Sequence, residues 1–325
     1  MPKTSKTATL RAACIALAWT FGSTASAQDY PNRTIKVIMP LGAGGIGDVY
    51  LRALAQSLQK RLGQPVVVEN KPGAAGTIGA NACALSDPDG YTYCLLAVDS
   101  ISLAPHLFAK LSYDPFKQLV PVTRLFFIVQ GLMVHPSLGV NTPADLVALS
   151  KSKPGTLSYA TQGSHITLFM EEFKRVSGAD LQRVPYTAGG QAIAAVVSGQ
   201  VPVGYFGIGN LLQQIQIGQV KMLAVDGTRR SDLYPTAPTL TETGFSGASL
   251  RPWYALFAPE RTPQPFIDRI YREVRDVMQD PDFLNLHLIA RGLEPALQTG
   301  EEFRDFLKED FAQAGRLVEN AGLKP

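Results

Sequence analysis

The chain has 325 residues, with 30 Lys+Arg against 27 Asp+Glu, four histidines and three cysteines. Three of the basic residues, Lys3, Lys6 and Arg11, lie in the first 27 positions, which hold no acid, so the 298 residues that follow carry 27 charges of each sign. That balance removes any electrostatic argument for a polyanion such as nucleic acid, and the length suffices for two α/β lobes with cores of their own.

The early basic residues precede an apolar run from Ala12 to Phe21 and then Ala25-Ser26-Ala27 just before Gln28. This is the layout of a secretory signal peptide with a small-residue cleavage site. The apolar run falls short of the roughly 20 residues that cross a bilayer, and Cys14 lacks the Leu of a lipoprotein signal. Residues 1–27 are therefore expected to be cleaved near Ala27 and the mature chain to act outside the cytoplasm. Cys83 and Cys94 then remain, eleven apart, one in a helical stretch and one in the next strand. In an oxidising compartment they pair, or they stay as two buried inert thiols.

In chain order, an apolar run ending at Pro40 reads as a buried strand. Gly42, Ala43, Gly44, Gly45 and Gly47 form a bare-backbone turn, and Asp48 to Leu62 has helical periodicity. Pro65–Glu69 reads as a second buried strand, Ile78–Leu85 as a helix and Tyr91–Ala97 as a third strand. Three successive strand-to-helix units predict a parallel, right-handed α/β sheet with ligands at its carboxyl edge. Phe126 to His135 is a further apolar run, after which the alternation restarts. Helices are expected over 143–152, 167–177, 190–198 and 210–217, with strands over 157–160, 181–185, 201–206 and 220–225. Trp253–Phe257 is one more strand, followed by helices near 263–279, 281–291 and 300–321. The expected organisation is a first lobe of 28–128 with 254–325 and a second of 129–253, each a mainly parallel sheet flanked by helices, with hinge crossings near 126–134 and 250–258.

The glycine turn has two readings. Gly42, Gly44 and Gly47 match Gly-x-Gly-x-x-Gly, and Glu69 follows about 20 residues on, which taken literally marks an NAD-dependent oxidoreductase. Against it stand the export signal and Asp48, whose charge lies where a pyrophosphate would sit. The other reading is a smaller anion held by loop amides and the positive end of the helix. No Gly-x-Ser-x-Gly elbow, Walker loop or His-Glu-x-x-His is present, and His106, His135, His165 and His287 are widely scattered. No catalytic residue, metal or cofactor is implied.

Many separate motifs carry a resemblance: Tyr30 to Arg52, LGQPVVVENKPGAAGTIGA at 62–80, DPDGYTY at 87–93, Val184-Pro185-Tyr186 with Gly189-Gly190, SGQV at 198–201, LAVDGTRR at 223–230, PTLTETG at 238–244 and APERTP at 258–263. In this order they resemble the Bug family, the periplasmic solute-binding proteins of tripartite tricarboxylate transporters. The resemblance implies a two-lobed Venus flytrap fold and a monomer that grips a small carboxylate and passes it to integral-membrane transporter subunits. It also implies that the glycine loop and a loop of the second lobe pinch one carboxylate through backbone amides and two ordered waters. Carried over by position, Gly44, Gly45 and Asp48 form the first half of the pincer, Asp48 orienting a bridging water. Of Asp99, Ser100 and Ser102 after the third strand, Ser100 is favoured. In the second lobe Thr161, Gly163 and Ser164 offer hydroxyls and amides at a helix start. His165 or Thr167 takes the family's histidine position, and Tyr186 keeps its tyrosine, whereas Thr187 and Ala188 replace its usual Lys-Gly. Gly207 follows Phe206 where many members have aspartate. Arg251 is then expected to meet a second carboxylate, and Phe126, Phe127, Phe206, Trp253 and Tyr254 to line the cleft around an aromatic or dicarboxylate ligand such as terephthalate.

Overall fold

Strands formed by the short apolar runs sort into two separate sheets in a computed structural model that describes residues 30–323 except 187, 188, 228, 246, 248 and 249. The expected signal peptide with its cleavage site, and the Thr187-Ala188 departure, lie outside the described residues. The first part of the chain runs β1 (Ile35–Met39), α1 (Ile46–Leu62), β2 (Val66–Asn70), α2 (Thr77–Ala84), β3 (Thr92–Ala97), a π-helical turn (Asp99–Leu103), α3 (Ala104–Leu107) and β4 (Leu119–Ile128). It continues through β5 (Gln130–Val134), α4 (Pro143–Ser152), β6 (Ser158–Thr161), α5 (Ser164–Ser177), β7 (Gln182–Pro185), α6 (Gly189–Val197), β8 (Val203–Gly207), α7 (Leu212–Gln216) and β9 (Lys221–Val225). It ends with β10 (Trp253–Pro259), α8 (Gln264–Met278), α9 (Pro281–His287), β11 (Leu293–Pro295) and α10 (Gly300–Asn320).

The six-stranded sheet has the order β11-β4-β10-β3-β1-β2 and the five-stranded sheet β7-β6-β8-β5-β9. Both are mixed, which corrects the expectation of mainly parallel sheets. Strands joined by helical crossovers pair in parallel: β1 with β2 and β3, and β6 with β7 and β8. The strands that cross between sheets do not. The chain leaves the first sheet along β4 and enters the second at once as β5, which must run away from the junction and so lies antiparallel to β8 and β9. On its return β10 enters the first sheet from the junction and lies antiparallel to β3 and β4. A second correction concerns β2. It is an edge strand with Val67 half exposed, because only β1 flanks it.

Alternation along the strands sends side chains to two helix-covered faces. On β10, Tyr254, Leu256 and Ala258 join the cluster under α1, α8 and α9, whereas Trp253, Ala255 and Phe257 join the opposite cluster with Phe303 and Leu317 of α10. Of the two outcomes open for the thiols, the structure shows pairing: Cys83 of α2 and Cys94 of β3 form a disulfide in that second cluster, with Cα atoms 6.2 Å apart. The second sheet has its own core around Leu132, Tyr159, Phe169, Phe173 and Tyr205. Among the described residues no helix is long and apolar enough to cross a membrane.

The second face of the first sheet also buries a carboxyl. Asp310 accepts from Ser102 Oγ at 2.5 Å and Trp253 Nε1 at 3.0 Å, yet burial pushes its pKa up to about 6 against these donors. A folded-state value above the unfolded one stabilises the fold below the unfolded pKa, and that stability is lost as pH rises through about 6. Asp310→Asn keeps an acceptor without the charge. Relative to wild type it is therefore expected to gain up to about 3 kcal/mol between pH 4 and pH 7, read from urea midpoints at both pH values. A second prediction concerns Gly79 of α2. A Cβ there would lie 2.6 Å from Pro40 Cα and 3.0 Å from the Lys71 carbonyl, both backbone. Gly79→Ala is expected to cost about 1–3 kcal/mol in the same assay.

Candidate functional site

The glycine turn runs from the carboxyl end of β1 into the start of α1. Gly44 has φ 86° and Gly45 is the N-cap, and Asp48 is the acid of the first turn, opposite Lys60 and Arg61 in the last. The Asp48 side chain is buried and fully engaged. Its Oδ2 accepts from the Gly44 amide at 2.9 Å and Arg52 Nε at 3.0 Å, and its Oδ1 from Arg52 Nη2 at 3.0 Å and Asn70 Nδ2 at 2.9 Å. Burial would raise its pKa, but Arg52, the Gly44 amide and Asn70 together hold it below the usual carboxylate range. This refines the expected pincer. The Gly44 amide serves Asp48, and the donors left without an intrahelical acceptor are those of the first turn, beginning at Gly45 and Ile46.

Two further segments reach the same sheet edge. The turn Ala74–Gly76 follows β2, and the π-helical turn follows β3. Gly76 sits against Pro40 and Ser100, whose side-chain atoms lie 3.4 and 3.6 Å from where its Cβ would be. Ser100 therefore stands beside the glycine loops, but its hydroxyl is internal: Oγ donates to the Ala97 carbonyl at 3.1 Å, and its own carbonyl accepts from Tyr113. The half-buried member of this turn is Asp99, whereas Ser100 to Leu103 are buried.

In the second lobe Gly163 (φ 81°) precedes α5, and the Thr161 and Thr167 hydroxyls lie 2.7 Å apart, with Thr167 donating to the Gly163 carbonyl. These hydroxyls brace the turn. Gly163 is exposed and Ser164 half-buried at the helix start. The Tyr186 amide donates to the Thr161 carbonyl at 2.8 Å, so the loops after β6 and β7 lie side by side. His165 reaches across: Nδ1 lies 3.3 Å from Asp99 Oδ2, and Nε2 lies 3.3 Å from Gln130 Nε2. The tautomer with Nδ1–H donating to Asp99 and Nε2 accepting from the Gln130 amide satisfies both contacts. His165 thus links the two lobes' candidate segments.

Two residues near this bridge escaped the sequence reading. The Gln130 amide donates to Asp226 Oδ1 at 2.9 Å, and the Asp226 amide returns a bond to the Gln130 carbonyl at 2.8 Å. Tyr205 donates to the other Asp226 oxygen at 3.2 Å. Burial raises Asp226 to about 6, opposed first by the charge of Arg251. The available signal was an acid ending the apolar run Met222–Val225.

The structure separates the remaining candidates from this cluster. Arg251 pairs with Glu294 at 2.7 Å and stacks 4.1 Å from the Phe127 ring centre, while its Nε is buried without a partner, so in this arrangement it meets an acid of the protein itself. Phe206 is buried in the second core, and Phe126, Phe127, Trp253 and Tyr254 in the first lobe's two clusters. The expected aromatic lining is therefore core, because helices cover both faces to which strand side chains point.

Residues 50–323 match the family described as "Tripartite tricarboxylate transporter family receptor". The Bordetella pertussis protein BugT is 33% identical over 303 residues, covering 92% of each chain. Two solved structures from Rhodopseudomonas palustris share the fold. Rpa4515 with adipate has 26% identity and TM-score 0.82, covering 91% of this chain and 100% of its own. MatC with bound malate has 26% identity and TM-score 0.76, covering 89% of this chain and 100% of its own. With its two mixed sheets, its glycine loop at a helix start and a match spanning most of its length, the chain belongs to the tripartite tricarboxylate transporter receptor family, alongside the Bug proteins.

Proposed function

We propose that this protein is a periplasmic receptor, freed from its signal peptide near Ala27, that captures a small organic carboxylate between its lobes and delivers it to the membrane subunits of a tripartite tricarboxylate-type transporter. The observation that carries this reading is the contact of the α5 start with Asp99, in the turn that follows β3, the strand paired with the one that feeds α1. First-turn amides from both sides give an anion fixed donors without a buried counter-charge. Gly45 and Ile46 on one side and Gly163, Ser164 and His165 on the other are the proposed contacts, with Asp48 and Thr161 holding their loops and Tyr186 flanking them. Residues 28–128 with 254–325 move against 129–253 about the crossings at 126–134 and 250–258, closing on the ligand.

The protein acts as a monomer, without cofactor, turnover or nucleic-acid partner. Adipate and malate, bound by the two R. palustris relatives, are the first compounds to test. Burial of the five aromatic residues withdraws support for an aromatic body, and terephthalate serves as the control. The NAD reading is disfavoured because Asp48 occupies the turn meant for a pyrophosphate and Glu69 is tied to Lys71 at 3.1 Å and Lys36 at 3.5 Å.

Thermal unfolding of the mature chain is expected to shift upward with at least one aliphatic carboxylate, by the equivalent of about 2.7 kcal/mol at 100-fold excess over Kd, while NAD, neutral sugars and terephthalate leave it unmoved. The bound acid should be recovered chemically unchanged. A response to NAD with indifference to every acid would overturn the reading. Asp48→Ala is expected to weaken the best carboxylate about tenfold or more in titration calorimetry by freeing the Gly44 turn, and to lower stability by about 1–2 kcal/mol.

A further inference from the structure

Arg291 closes the turn Ile289–Arg291 immediately before β11. Because Leu293 of β11 pairs with Ile128 at the end of β4, this turn sits at the junction of the lobes. There it abuts the second lobe, the backbone of Gly209 packing against the Arg291 carbonyl. A cavity of about 370 Å³ lies between this turn and the start of α1. Gly44, Ile46 and Val49 of the first lobe, Asn210 of the second and Arg291 are among the residues that line it. Its volume lies within the range that holds a small metabolite.

The charge pattern around the cavity is uneven. Arg251 and Arg229, which do not line this cavity, are paired with Glu294 and Asp232. Among the described residues Arg291 has no carboxylate partner, and its Nε, like those of Arg251 and Arg124, is buried without a hydrogen bond. Its charge is felt nearby, since His287 is held below its usual pKa by burial and then by Arg291. A guanidinium with no carboxylate partner at the lining of a cavity is matched by a planar, two-oxygen acceptor that enters it.

We propose that Arg291 is a specificity-determining residue that receives a second carboxylate of the ligand, whose first carboxylate lies at the first-turn amides of α1. The inference rests on the carboxylate-receptor reading and narrows it to acids with two separated carboxylates. Arg291 thereby takes the role that the sequence reading gave to Arg251.

The test is titration calorimetry of wild type, Arg291→Gln and Arg291→Lys with the linear diacids from succinate to suberate, each beside the monocarboxylate of the same chain length. Wild type is expected to bind at least one diacid more tightly than its monoacid partner. Arg291→Gln should weaken that diacid about tenfold or more while leaving the monoacid within about twofold. Arg291→Lys should fall between them, keeping the charge and losing the bidentate fork. Circular dichroism and thermal unfolding establish that each variant folds; if the Gln variant does not, the Lys variant carries the comparison. Equal weakening of diacids and monoacids, an undiminished diacid, or no diacid advantage in wild type overturns the role of Arg291 and leaves the receptor reading intact. Failure of wild type to bind any acid of either series overturns both.

Discussion

A carboxylate buried beneath its own loop sets the terms for the rest of this molecule. Asp48 accepts four hydrogen bonds, from the Gly44 amide, from Asn70 and twice from Arg52, and these tie the turn after β1 to the end of β2 and to the next turn of α1. Without that carboxylate a glycine-rich segment has many conformations open to it, and ordering it would cost the entropy that glycine retains in the unfolded chain. With it the loop is held in one shape by the fold itself. The acid also complements the helix dipole while leaving the first-turn amides without intrahelical acceptors. Amides of this kind can hold an anion with no cationic side chain at its centre.

The junction of the lobes places polar groups under similar constraint. Val129, the single residue between β4 and β5, donates to the Gly292 carbonyl at 3.0 Å and accepts from the Ile208 amide at 2.9 Å. The crossing is thus held from both sides. Around it lie groups whose burial is only partly compensated: Asp226 beside Gln130 and Tyr205, and Arg124, which stacks between Phe127 and Phe306 at 4.2 and 4.0 Å and whose pKa burial lowers to about 10. Charges in such surroundings interact strongly because little water screens them. Any relative movement of the two sheets would change these interactions.

The aromatic residues illustrate why composition misleads about a binding site. Trp253 and Tyr254 are adjacent and on a crossing strand, which made them candidates for a cleft lining. As neighbours in a strand they point to opposite faces of the sheet, and each face is roofed by helices, so both are consumed by the core. Phe126 and Phe127 divide in the same way. What faces the junction is carried by the loops at strand ends, which are rich in glycine, serine and short polar residues.

The sequence by itself determined what depends on neighbouring residues. Most helix and strand positions, though not β11 or the division of the run at 126–135 between β4 and β5, the glycine turn at a helix start, the split into two α/β units and the family resemblance are written in local periodicity, turn chemistry and ordered motifs. Tertiary structure alone decided what depends on residues far apart in the chain. It reversed β5 and β10 because crossing strands enter each sheet from the junction, and it exposed β2 because only one neighbour reached it. It turned Arg251 toward Glu294, 43 positions away, and left Arg291 facing a cavity shared with α1. It also engaged the Gly44 amide with Asp48 and brought His165 to Asp99, 66 positions away. Periodicity reports whether a side chain is buried or exposed, but only the packed fold brings distant partners within hydrogen-bonding distance, because such bonds hold only over about 3 Å.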